Sequence, residues 1–140
     1  MPVVSITLFL THIMQITTTL VTETSNGKER ITQTFQGTLQ QQGEFMLLSY
    51  DDPELGATRL FIHPDRVKLV RKGAFTTQMI FLPNVTTHSE YHSPGGVFDL
   101  AIQTTFFNLS PTLPDRQLEL HYILCINGEE AAQNQLTLIF

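Results

Sequence analysis

The stretch EYHSPGGVFDLAIQT, residues 90–104, says most about the fold. From Phe98 onwards apolar residues alternate with other residues, and a period of two is typical of a strand with one face in the core. A glycine loop that cradles a phosphate would instead be followed by a helix. The Pro-Gly-Gly triplet at 94–96 therefore predicts a hairpin bend, with a positive φ at Gly95 as in a type II turn.

The same alternation recurs along most of the chain, while helical periodicity is weak throughout. Turn signals such as Asn-Gly and Asp-Pro separate the alternating runs, and no segment is long enough for a βαβ crossover. The residues predicted to share strand faces are Ile31, Gln33, Phe35 and Leu39; Leu60 and Ile62; Val67, Leu69 and Arg71; Phe75, Thr77, Met79 and Phe81; Phe98, Leu100, Ile102, Thr104 and Phe106; Leu118, Leu120, Tyr122, Leu124 and Ile126; and Leu136, Leu138 and Phe140.

This pattern predicts an all-β fold, an antiparallel up-and-down β-barrel of eight to ten strands, because closure removes exposed strand edges. A two-sheet sandwich is the alternative. The length of 140 residues predicts one domain. We expect residues 13–140 to form it, with the first regular strand near residues 13–23, and residues 1–12 to be an extension or an extra strand.

The amino-acid composition limits the kinds of partner that we expect. The net charge is −5 and the few Lys and Arg look scattered, so we expect neither nucleic-acid nor membrane binding. Cys125 is the only cysteine, which excludes an intramolecular disulfide and a Cys-based zinc site and fits a cytoplasmic location. The apolar run at residues 3–10 lacks a basic flank and a cleavage site, so we do not expect a secretory signal.

Several spaced motifs resemble the YwiB-like family, a domain of unknown function in low-GC Gram-positive bacteria. They are Tyr50-Asp51-Asp52, Val67-x-Leu69-x-Arg71-x-Gly73, Met79-x-Phe81, Tyr91-x-Ser93-Pro94-x-Gly96-x-Phe98 and Thr104. The resemblance covers about residues 13–140 and implies a calycin-like, or lipocalin-like, barrel. Asp52 departs from the glutamate expected there. The family has no established activity, but calycins in general bind small apolar or amphipathic ligands in the barrel mouth.

Arg71 is the principal candidate for a ligand-binding residue. It falls in phase with Val67 and Leu69, so its guanidinium should point inward and must find partners there. It could anchor a carboxylate or phosphate through its bidentate fork. Alternatively, it could sit at the barrel rim and bind carbonyls or a carboxylate such as Asp51.

The other candidate ligand-binding residues are polar side chains on strand faces that are otherwise apolar. A buried tyrosine hydroxyl seeks a partner, so the tyrosines could line a cavity or simply pack in the core. Threonine and glutamine on such inward strand faces favour a hydrated barrel interior over one that is filled by side chains. These candidates are Tyr50, Tyr91, Tyr122, Thr104 and Gln33.

Neither a metal site nor a catalytic constellation is expected, and no cofactor is implied. His88 and His92 on a strand would lie roughly 13 Å apart, too far to share an ion. No Gly-x-Ser-x-Gly motif marks a nucleophile. Cys125 alternates with apolar positions and fits a packed side chain.

Three functions are compatible with these features. The first is a non-catalytic binder of a small apolar or amphipathic ligand, which would need an interior cavity of roughly 300 Å³. The second is a structural or protein-interaction module with a filled barrel, possible as a homodimer, because the sequence shows no catalytic constellation and both the N-terminal arm and the final strand QLTLIF are apolar. The third is an enzyme that acts on an anionic small molecule through Arg71. The calycin-like pattern, with polar residues on otherwise apolar strand faces, favours the first.

Overall fold

The computed structural model describes residues 10–140. In this part of the chain there are ten strands and no helix, hence no helix that could cross a membrane. The strands are β1 (Thr11–Thr24), β2 (Gly27–Gln42), β3 (Phe45–Asp52), β4 (Gly56–Ile62), β5 (Val67–Lys72), β6 (Thr76–Phe81), β7 (Thr86–Ser93), β8 (Gly96–Ser110), β9 (Gln117–Ile126) and β10 (Glu129–Ile139).

The strands form a closed antiparallel barrel. Each pairs with its neighbour in chain order, and β1 pairs with β10 to close the sheet. The pairing is shortest between β6 and β7, where only Thr76 and Thr77 are matched with His92 and Tyr91. The predicted all-β, up-and-down barrel is therefore confirmed, and the sandwich alternative is wrong. β1 begins at Thr11, two residues before its predicted start, and residues 1–9 of the predicted extension lie outside the described residues.

Across β2 to β7, the interior changes from apolar to polar along the barrel axis. Cross-strand pairs link Met46, Ile62, Val67 and Phe81 in one row, and Leu39, Leu48, Leu60, Leu69 and Met79 in the next. All of these side chains are buried. A third row, here called the polar row, links Tyr50, Thr58, Arg71, Thr77 and Tyr91. The polar row lies at the end that carries the β3–β4 and β5–β6 hairpins, which we call the mouth.

Gly37 explains why the apolar alternation of β2 skips a position between Phe35 and Leu39. A Cβ on Gly37 would collide with the carbonyl oxygen of Ser49 and with Cδ1 of Ile16. Ile16 is fully buried and occupies the space that a side chain at 37 would need. Only glycine therefore allows β1, β2 and β3 to pack closely at this point.

One expectation for the inner face of β8 is wrong. Thr104 pairs with Tyr122 and Phe106 pairs with His121, so Thr105 is an extra residue in a β-bulge. The bulge reverses the phase of β8, and Phe106 is 41% exposed, against the outer face of His121, instead of sharing the inner face of Thr104.

At the β7–β8 hairpin, the positive φ of 134° belongs to Gly96, not to Gly95. Gly96 is the first residue of β8 and pairs with Ser93, so the residue with the positive φ lies at the end of the turn, where the strand begins. The hydroxyl of Ser93 accepts a hydrogen bond from the Gly95 amide and donates one to the Gly96 carbonyl. The stretch at 90–104 is a hairpin as predicted, with a different turn geometry.

Candidate functional site

A cavity of about 190 Å³ opens at the mouth, above the apolar rows. Its walls come from β1, β2, β3, β4, β5, β10 and the β3–β4 turn. The polar residues that line it are Thr18, Gln33, Tyr50, Asp52, Glu54 and Arg71. The apolar residues are Leu20, Ile31, Phe35, Leu55, Leu60, Leu69, Leu136 and Leu138. The cavity is smaller than the roughly 300 Å³ expected from the sequence, because the interior below it is filled by side chains.

Arg71 points into this cavity and is half-buried. Its Nε donates a 3.3 Å hydrogen bond to Oγ1 of Thr58, its cross-strand partner. The guanidinium also lies close enough to the Tyr50 hydroxyl to lower the Tyr50 pKa by hydrogen bonding, and among residues 10–140 no carboxylate oxygen lies within 4.0 Å of it. Asp51, the partner considered from the sequence, is exposed and makes no ion pair with Arg71, so that expectation is wrong. Beyond its contacts with Thr58 and Tyr50, the guanidinium keeps N–H donors available to a ligand.

Tyr50 is buried beside Arg71 in the same wall. Its ring stacks on Phe35 with centroids 4.6 Å apart and an interplanar angle of 23°. Burial raises the pKa of the Tyr50 phenol above its usual 10.0. The charge of Arg71 and a hydrogen bond with its side chain lower this pKa, and the charge of Asp52 raises it. The hydroxyl therefore stays protonated at neutral pH and can donate a hydrogen bond into the cavity.

Asp52, which sequence reasoning missed as a site residue, continues the inner face of β3 from Leu48 and Tyr50. It is only 5% exposed. Its Oδ1 accepts hydrogen bonds from the backbone amides of Glu54, at 2.8 Å, and Leu55, at 3.1 Å. This bond pattern holds the β3–β4 turn over the cavity, as an aspartate side chain commonly does at a turn. The alternation of 48, 50 and 52 was the signal that could have identified it.

Three of the six predicted ligand-binding residues, Arg71, Tyr50 and Gln33, meet in the mouth cavity. The other three do not line it. Tyr91 stacks on Phe75 with centroids 5.9 Å apart. Tyr122 and Thr104 form a cross-strand pair in the sealed interior, where they are 7% and 1% exposed.

Tyr122 is the centre of this sealed polar group. Its ring meets Phe81 edge-on at 4.8 Å. Burial raises the pKa of Tyr122 to about 12, although the charge of Arg71 and a hydrogen bond with the Asn134 side chain both act to lower it. Thr104 and Asn134 flank it on β8 and β10. Oγ1 of Thr104 and Oδ1 of Asn134 are buried with no protein hydrogen-bond partner among the described residues.

The family model for a domain of unknown function, DUF1934, matches residues 14–138. The chain belongs to this family. The predicted resemblance to YwiB-like proteins is thereby confirmed, while the wider calycin-like relationship stays a prediction.

The crystal structure of the ywiB protein from Bacillus subtilis is similar to this barrel, with a TM-score of 0.79. The similarity covers 92% of each chain at 18% sequence identity, so it supports the fold alone. No match was found among curated proteins. The comparisons therefore establish family and fold and assign no activity.

A basic groove on the outer face of β4 and β5 contradicts the expectation that Lys and Arg are scattered. Residues 59–72 contain five of the eight Lys and Arg of the chain. Arg59, Lys68 and Lys72 line a shallow groove of about 260 Å³, and Lys68 lies over the ring of Phe61 at 5.9 Å. Arg71 belongs to the same hairpin but points to the opposite face, into the barrel.

Metal-binding geometry is absent from residues 10–140, where no three His, Cys, Asp or Glu side chains group closely enough to hold an ion. His92 instead lies 3.1 Å from Glu90 on the exposed face of β7. The arrangement at the mouth is one of recognition groups: a guanidinium, a protonated phenol, an amide and carboxylates above an apolar floor.

Proposed function

We propose that this protein is a non-catalytic binder of a small amphipathic ligand, held in the mouth cavity with its anionic group on Arg71. The observation that carries this proposal is the half-buried guanidinium, which makes a weak hydrogen bond to Thr58, lies beside the Tyr50 hydroxyl and has no carboxylate partner among residues 10–140. Burying a charge is costly unless it is paired, and Arg71 spends only one of its five N–H donors on Thr58. A carboxylate on the terminal nitrogens would complete the pairing with the bidentate geometry that arginine favours.

The apolar part of the ligand would lie on the cavity floor. Leu60 and Leu69 form that floor, and Leu136 and Leu138 form the facing wall. Contact with such side chains contributes roughly 25 cal/mol for each Å² of apolar surface removed from water. The volume of about 190 Å³ limits the ligand to one smaller than a drug-sized molecule, or to the head of a longer one.

Titration calorimetry with caproate and its branched isomer isocaproate tests this proposal. A hydrogen bond to a charged group contributes about 1.5–3 kcal/mol, so Arg71→Gln should weaken binding by about 10- to 150-fold. Arg59→Gln is the matched control, because Arg59 is an exposed arginine on the outer face of the neighbouring strand. Equal affinities for the wild type and Arg71→Gln would contradict the assignment of Arg71.

A second candidate function, self-association, is favoured by a charge-free patch on the outer face of β1 and β2, formed by residues 11–19 of β1 and residues 32–40 of β2. Its outward side chains are threonine, glutamine and one isoleucine, at Thr11, Ile13, Gln15, Thr17 and Thr19 of β1 and at Thr32, Thr34, Gln36, Thr38 and Gln40 of β2. Ile13 is 73% exposed. Charged residues are depleted from the cores of protein interfaces, so this face suits a second copy of the chain.

Sedimentation equilibrium distinguishes this candidate from a monomer. If the face is a dimer interface, Thr34→Lys should shift the protein towards the monomer, because it places an unpaired charge within the interface. Gln78→Lys, on the exposed outer face of β6, should have no effect. A monomeric wild type at all tested concentrations would exclude self-association through this face.

A further inference from the structure

The charges that line the mouth cavity do not match a simple anion. Arg71 supplies one positive charge, whereas Asp52 and Glu54 supply two carboxylates to the same wall. Neither carboxylate comes within 4.0 Å of the Arg71 guanidinium. A purely anionic ligand would gain the attraction of Arg71 but would also face two like charges across a small cavity.

Asp52 is as incompletely paired as Arg71. Its Oδ1 accepts two backbone amides, but Oδ2 accepts no hydrogen bond from residues 10–140, and the side chain has no cationic partner there. Only 5% of the residue is exposed, and this second oxygen keeps contact with solvent through the mouth cavity. Buried carboxylates are normally paired with a cation or with several donors. A donor from a bound ligand would complete the set.

The hydroxyl of Tyr50 connects the two charges. The charge of Arg71 lowers the pKa of Tyr50 and the charge of Asp52 raises it, so the phenol lies near both groups. The positive and negative groups therefore belong to one continuous polar wall of the cavity. They are held apart by separate anchors: Thr58 for the guanidinium, and the amides of Glu54 and Leu55 for the carboxylate.

We infer that the ligand is a small zwitterion with an apolar body. Its carboxylate binds Arg71, its ammonium group binds Asp52, and Glu54 adds negative potential at the rim. This inference rests on the proposed function, since it keeps the same cavity and the same anchor for the anionic end. Each end of the zwitterion meets the charge that the protein leaves unpaired, whereas an anion or a cation alone would meet only one.

Two probe pairs test this inference, and within each pair the compounds differ only by an ammonium group. The first pair is L-leucine and isocaproate; the second is ε-aminocaproate and caproate, which spaces the two charges further apart. Calorimetry should show at least tenfold tighter binding of the ammonium-bearing member in one pair. Asp52→Asn should remove that preference, because asparagine keeps an oxygen for the turn amides and loses the charge.

Asp51→Asn is the matched control, because Asp51 is the adjacent carboxylate on the exposed face and should leave the preference unchanged. If Asp52→Asn does not fold, Glu54→Gln at the exposed rim replaces it, and a severalfold loss of the preference is expected.

The outcomes separate the two proposals. If caproate and isocaproate both bind through Arg71 as tightly as their ammonium-bearing partners, the zwitterion inference is wrong and the small-anion function stands. A preference that survives both Asp52→Asn and Glu54→Gln also overturns it, because the ammonium would then bind elsewhere. If none of the four probes binds in an Arg71-dependent way, the proposed function itself is contradicted.

Discussion

Arg71→Gln is expected to change ligand binding while leaving folding nearly intact, and the structure sets the size of the stability change. The guanidinium donates a hydrogen bond to Thr58 at 3.3 Å, which is slightly longer than the usual range for an N–H donor. Thr58 keeps a partner after the substitution, because its hydroxyl also donates to the carbonyl of Gly56 at 3.2 Å. Glutamine is neutral and removes the desolvation cost of the half-buried charge.

These effects oppose one another, so we expect the free energy of unfolding of Arg71→Gln to lie within about 1 kcal/mol of the wild type. Breaking a buried ion pair would instead cost about 3–5 kcal/mol. The assay is urea unfolding followed by far-ultraviolet circular dichroism, since the chain contains no tryptophan. Leu60→Ala, at a fully buried floor residue, is the reference and should cost about 2–5 kcal/mol.

A loss of 3 kcal/mol or more in Arg71→Gln would refute this reasoning. It would mean that the guanidinium is a structural element of the barrel and not a group left free for a ligand.

Three further predictions concern the barrel itself. Gly37→Ala should destabilise the protein by about 1–3 kcal/mol or prevent folding, because the new Cβ collides with Ser49 and Ile16; thermal unfolding measures this, and an unchanged midpoint would contradict the close strand packing. Since the pKa of Tyr122 is about 12 in the folded protein against 10.0 when unfolded, its contribution to stability should be complete below pH 10 and lost as pH rises through 12; unfolding at graded pH should show this decline, and Tyr122→Phe should reduce it. Thr104→Val should raise stability by roughly 1 kcal/mol in urea unfolding, because it replaces an unpartnered buried hydroxyl with a methyl group; a loss would indicate a hydrogen bond to buried water.

Much of the barrel could be predicted because alternation reports directly on which face of a strand is buried. The phases of Leu118, Leu120 and Tyr122 on β9, and of Val67, Leu69 and Arg71 on β5, agree with the inward faces of the structure. The bulge at Thr105 could not be predicted, because an inserted residue changes the phase without changing the composition of the strand. Phe106 was therefore placed on the wrong face.

The site was only partly predictable, because alternation gives the face of a residue but not its position along the barrel axis. Tyr122 and Arg71 both point inward, yet the register places Tyr122 in the sealed interior and Arg71 at the mouth. Asp52 could have been identified from its phase with Tyr50. The basic groove was also predictable, since Arg59 and Lys68 alternate with the buried residues of β4 and β5.

The most direct test of the central claim is nuclear magnetic resonance of the arginine side chains during titration with isocaproate. The chain has five arginines, so the Nε–H signals can be assigned by substitution. The account predicts that the Arg71 signal shifts and saturates, while that of Arg116, whose Nε donates to the Phe140 carbonyl at 3.0 Å, stays in place. An unchanged Arg71 signal at saturating millimolar ligand, or equal shifts at both arginines, would contradict it.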